Sequence, residues 1–170
     1  HPRPMNSTKI YGADTSKWVD RGIDTEHAKQ TFWRNLIGGL ASSRFHRPPS
    51  GLGLSDLAQA NLRSARLFAS RFDLFHAEPD ADHHLLQDRG TNEAYLTRVP
   101  GRQYAVYFPQ GGQVGLDLVA IAGGPWSVVL LDIAASCWVE AATGRIPGGA
   151  VIPLLTPPGP HVALVTLAGS

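Results

Sequence analysis

Cysteine is nearly missing from this chain: Cys137 is the single thiol in 170 residues. No disulfide can close within the chain, and no cysteine-based zinc cluster can assemble. Net charge is equally scarce. Fifteen Lys and Arg stand against fourteen Asp and Glu, giving +1 at pH 7 and a pI near 8.2. The basic excess that marks nucleic-acid-binding proteins is therefore lacking. No run approaches the roughly 20 apolar residues that a membrane-spanning helix needs. Repeats and low-complexity tracts are also missing. What is present is a hydrophobic content of 43% with a mean hydropathy of −0.10. That supports a packed core and argues against global disorder. A mass of 18.3 kDa suits one ordinary domain or two small ones. The chain begins at His1 and no signal-peptide pattern follows, so it reads as a piece of a longer polypeptide.

Charge is spread unevenly. Residues 1–78 hold eleven Lys/Arg and seven Asp/Glu, whereas residues 79–170 hold four and seven. The second part is also rich in Val, Leu, Gly and Pro. This shift divides the chain into two units, 1–76 and 77–170, with the boundary inside an acidic stretch containing Asp73, Glu78, Asp80 and Asp82.

The first unit alternates. Residues 4–11 read as an extended segment ending at Gly12, followed by a polar loop with Asp14, Lys17, Trp18 and Asp20. Thr25 opens a helical pattern with Glu26 in its first turn, where a carboxylate suits the positive end of the helix dipole. Ala28, Phe32, Trp33, Leu36 and Ile37 form one apolar stripe, and Gly38-Gly39 stops it. Residues 40–45 read as a short buried strand, broken by Pro48-Pro49. Ser55 is a natural N-cap for a second helix with Leu57, Ala58, Leu62, Ala65, Ala69 and Phe72 on one face. Strand–helix–strand–helix order argues for parallel α/β architecture. Two strands cannot close a sheet and both stripes need a partner. The first unit therefore reads as the end of a larger α/β unit whose earlier strands are absent here.

The second unit reads as an all-β sandwich. Strands are expected at 84–88, 93–99, 102–108, 113–121, 126–133, 136–141, 149–155 and 161–168. Tyr104, Val106 and Phe108 share one face, as do Val114, Leu116 and Leu118, which is the period-two signature of a half-buried strand. Gly/Pro breaks at 109–112, 123–125, 147–149 and 157–159 supply the turns.

Several stretches resemble the C-terminal third of bacterial glycoside-hydrolase-like proteins. In these a (β/α)8 barrel is followed by a β-sandwich labelled as the collagen-binding domain of a collagenase. The resembling residues are Lys9-Ile10-Tyr11-Gly12, Phe32-Trp33-Arg34-Asn35 with Gly38-Gly39, and Arg44-Phe45-His46-Arg47-Pro48. In the second unit they are Tyr104 to Pro109 with Gly111-Gly112, Trp138 to Gly144, and Thr156-Pro157-Pro158-Gly159. The resemblance implies a fold class of α/β followed by all-β: the last β/α units of a (β/α)8 barrel plus a C-terminal antiparallel β-sandwich. It further implies a carbohydrate substrate or ligand, an extracellular matrix protein as a possible partner, and secretion or periplasmic export of the whole protein.

In such barrels the active site lies at the C-terminal strand ends. That places Lys9, Tyr11 and Asp14 after the first strand and Arg44 and His46 after the second. Glycoside hydrolysis normally needs two carboxylates. Related barrels carry a glutamate where Lys9 stands, so Asp14 is the nearest candidate for a catalytic role; its simpler reading is a solvated loop aspartate. Arg44 and His46 are candidates for binding sugar hydroxyls, or for tying strand ends. Tyr11 and Trp18 are candidates for substrate contacts, with Trp18 stacking on a sugar ring or packing as an ordinary surface residue. Trp126 and Trp138 would form a sugar platform if exposed and belong to the core otherwise. Asp80 to His84 holds metal-capable side chains in no standard spacing, so no metal is expected. The Gly-rich turns lack the Lys-Ser/Thr of a phosphate loop, and no cofactor is expected. Cys137 reads as a small buried or inert strand residue. The leading reading is thus the C-terminal portion of a glycoside-hydrolase-like protein, inactive as a fragment. The alternative is a non-catalytic carbohydrate- or matrix-protein-binding module, or a sandwich serving as a structural cap. Neither nucleic acid nor a membrane span enters it.

Overall fold

The computed structural model describes residues 4–14, 19–82, 84–90, 94–121, 123–140 and 145–168. The first strand, β1 (Asn6–Ile10), pairs in parallel with β2 (Ser42–Phe45), and these two form a sheet of their own. Helix α1 (Thr25–Ile37) joins them. Its N-cap is Asp24, whose carboxylate accepts the His27 backbone N–H at 2.8 Å. Helix α2 (Asp56–Ala69) follows, capped by Ser55, whose hydroxyl oxygen accepts the Ala58 N–H at 3.2 Å.

Strands β3 (Glu78–Pro79) and β4 (Leu86–Gln87) are short. The longer ones are β5 (Tyr95–Val99), β6 (Gln103–Phe108), β7 (Gly112–Asp117), β8 (Trp126–Asp132), β9 (Cys137–Glu140), β10 (Val151–Thr156) and β11 (His161–Leu167). They build two antiparallel sheets, one ordered β3-β5-β6-β11-β8-β9 and one ordered β10-β7-β4. Tyr104, Val106, Phe108, Trp126 and Val165 of the larger sheet meet Val114, Leu116, Ile152 and Leu154 of the smaller one in a buried, sandwich-like core.

The α/β expectation, with its last units of a (β/α)8 barrel, is corrected by this architecture. Nine of the eleven strands among the described residues lie in antiparallel sheets, beside two α-helices. The physical reason lies in the second face of the larger sheet. Ala105 and Tyr107 of β6, Leu131 of β8, and Val162 and Leu164 of β11 point away from the sandwich core. They form one buried cluster with Ala28, Phe32, Trp33 and Ile37 of α1 and Ala58 and Phe68 of α2. Trp33 shows the join: its ring stacks on Tyr107 at 6.0 Å, and its indole N–H donates to Asn61 Oδ1 at 2.9 Å. The helical stripes are thus covered within the chain itself. The central strands are consequently buried on both faces, so their expected half-burial is also corrected.

Polar links fasten the helices to the sheet. Ser64 Oγ donates to the Ile133 carbonyl at 2.8 Å. Gln103 accepts the Asp73 N–H at 2.9 Å and donates to the Arg71 carbonyl at 2.7 Å. Cys137 lies exposed on β9, not buried. No helix is long and apolar enough to cross a membrane.

Candidate functional site

Parallel pairing sends the chain out of β1 and β2 at the same end, with Ile10 opposite Phe45. Both of these side chains turn into the core. Because successive strand residues point to opposite faces, Lys9, Tyr11, Arg44 and His46 are left on the other side. Strand alternation together with this pairing therefore gathers the four candidate side chains at one strand exit.

Backbone and side-chain bonds hold this exit together. The His46 N–H donates to the Ile10 carbonyl at 2.8 Å, and Arg44 Nε donates to the Thr8 carbonyl at 3.3 Å. His46 Nδ1 lies 2.8 Å from the Arg47 carbonyl. A carbonyl only accepts, so Nδ1 carries the proton, and in the neutral ring Nε2 is the free acceptor. Tyr11 stacks on His46 with ring centroids 4.7 Å apart and planes at 25°. Behind Tyr11, Gly12 takes φ +90°, and a Cβ there would strike the Asp24 carbonyl oxygen. Glycine lets the loop press against the cap of α1.

Beside these residues opens a cleft of about 450 Å³, lined among others by Thr8, Lys9, Arg44, His46, Arg47 and Leu54. Its charged lining among the described residues is Lys9, Arg44 and Arg47, with no Asp or Glu. Asp14 is half-buried in the loop after Gly12 and is not part of the lining. Trp18 and His83 lie outside the described residues. Arg47 escaped the sequence reading as a site residue; its only signal was its position directly after His46 at a strand exit.

Such a cleft can bind and orient a ligand through guanidinium, ammonium and imidazole groups, with one flanking aromatic pair. A carboxylate acid–base pair of the kind glycosidases use is not present in its described lining. Elsewhere, Trp126 is fully buried against Tyr104, and half-buried Trp138 carries the Arg71 guanidinium 4.7 Å over its ring. A larger cavity of about 630 Å³, around Val119, Ile121, Pro125 and Pro147, has no ionisable lining. Buried Asp80 accepts the Leu85 N–H at 3.2 Å and so closes a turn. Among the described residues no three His, Cys, Asp or Glu side chains converge as metal ligands do.

Two solved structures similar in fold are described as glycoside hydrolases. One, described as a glycoside hydrolase, is 16% identical with a TM-score of 0.64, over 85% of this chain and 37% of its own. Another, a glycoside hydrolase family 5 protein from Bacteroides vulgatus ATCC 8482, is 16% identical with a TM-score of 0.66, over 95% of this chain and 39% of its own. The chain thus has a glycoside-hydrolase-like fold and spans about two fifths of the length of these structures. No protein-family model matches the sequence, and no curated protein matches it.

Proposed function

We propose that this chain is the carbohydrate-engaging part of a glycoside-hydrolase-related protein, and that the β1–β2 exit binds a glycan without supplying the acid and nucleophile itself. The observation that carries this is the cleft: polar donors beside a stacked Tyr11–His46 pair, with no carboxylate in the described lining. Stacked rings offer an apolar face to sugar C–H groups, while Arg44 and Lys9 donate to ring oxygens and hydroxyls. Residues 1–76 would carry this site and residues 77–170 would serve as its β-layered support. The likeness of fold to glycoside hydrolases favours a carbohydrate over other polar ligands, though fold by itself does not give activity.

Calorimetric titration with a panel of oligosaccharides tests the reading. Binding to at least one glycan is expected, weakened about tenfold by Tyr11→Ala, the order of one lost ring contact. No binding to any glycan would overturn it. Release of reducing ends that disappears in Asp14→Asn would instead establish the hydrolytic reading, in which Asp14 is the nearest carboxylate.

A further inference from the structure

Three cations converge on the cleft with no acid among its described lining residues: Lys9, Arg44 and Arg47. Among the described residues none of them is in an ion pair. The described ion pairs are Lys29–Glu26, His76–Asp73 and Arg98–Glu78. Arg44 uses only Nε, on the Thr8 carbonyl, among the described contacts, which leaves its terminal nitrogens to a ligand. Like charges gathered in a concave site repel one another, and a bound anion relieves that repulsion. Guanidinium forks match the planar, two-oxygen geometry of a carboxylate. His46, stacked on Tyr11, adds an aromatic ring to the same lining.

We infer that the ligand is an acidic glycan, one whose sugar rings carry carboxylates, as uronic acids do. This rests on the glycan reading above and narrows it. Carboxylates of this kind titrate near pH 4, so they are ionised at neutral pH. Arg44 and Arg47 take the carboxylate, Lys9 adds a third positive charge, and Tyr11 faces the ring.

The test is titration of the whole chain with a uronate tetrasaccharide and with the same tetrasaccharide methyl-esterified, at low and high salt. The acid form should bind at least about tenfold more tightly, and its advantage should shrink between about 0.02 and 0.3 M salt as screening shortens. Arg44→Gln and Arg47→Gln should each reduce the preference, with unchanged circular dichroism because both side chains are exposed. Equal affinity for the two forms would overturn the acidic preference and leave the glycan reading standing. Binding of neither would overturn both. A preference untouched by both arginine variants would place the anion elsewhere and defeat the inference. Competition by tetraglutamate as effective as by the uronate would show an anion site with no regard for the sugar, and would defeat it as well.

Discussion

Trp33 and Asn61 form the most consequential polar contact in the helical layer. The indole N–H would be stranded if Asn61 were shortened, since both residues are buried. Asn61→Ala should cost about 1–3 kcal/mol, the penalty for an unpaired buried donor, measured by urea unfolding. Tyr107 presents the opposite case. Its hydroxyl is buried without a hydrogen-bond partner among the described residues. Burial pushes the phenol well above its ordinary value of 10.0, with the nearby Arg34 guanidinium opposing the shift. The neutral phenol is the form that the fold accommodates. Its contribution is therefore complete below pH 10 and is lost as pH rises through the higher folded value. Tyr107→Phe should leave neutral-pH stability equal or improved and raise the pH at which the protein unfolds in alkali. Ultraviolet titration should show one of the four tyrosines ionising only as the fold opens. A destabilised phenylalanine variant would mean that the hydroxyl has a partner.

At the scale of elements, the loop between β1 and α1 sets the shape of the cleft. Gly12 adopts a left-handed conformation against the Asp24 carbonyl, one residue from Tyr11. Gly12→Ala should cost about 2 kcal/mol or more, because strained backbone and a blocked Cβ add together. The same change should also loosen the Tyr11–His46 stack, seen as a change in the His46 ring proton shifts. A full-strength stack in that variant would mean the loop is not what positions Tyr11. Elements were the most legible level of the sequence. Ser55 caps its helix where the sequence puts it, and the eight strands expected after residue 77 each overlap an observed strand. The missed strand, β3, is two residues long and includes Pro79, so it carries no periodic signal. Arg47 was missed for a different reason: a single exposed Arg beside two prolines resembles any loop until β1 is laid next to β2.

For the whole molecule, the two-faced sheet is the organising feature. Trp33 of α1 packs on Tyr107 of β6, while Tyr104 of the same strand packs on Trp126 beneath it. Both cores therefore share one set of strands. Trp33→Ala should cost about 3–5 kcal/mol and lower the stability of the entire molecule, not of the helices alone. Far-ultraviolet dichroism of the helices and near-ultraviolet signals of Trp126 should lose structure at one denaturant midpoint. Separate midpoints would show that the helical layer and the sandwich are independently stable.

Local order was already legible in the order of residues, because helix periodicity, caps and Gly/Pro turns depend on neighbours a few positions apart. Even the grouping of Lys9, Tyr11, Arg44 and His46 follows from strand alternation once two strands are paired. What covers the apolar stripes of α1 and α2 was not legible in that way. Tyr107 and Leu164 sit about 75 and 130 positions beyond Trp33 in the chain, and no local pattern links them. The runs QYAVYF and HVALVTL are apolar at nearly every position, which is the mark of burial on both faces. Folding brought those runs under the helices, and that packing replaced the larger partner that the stripes had called for.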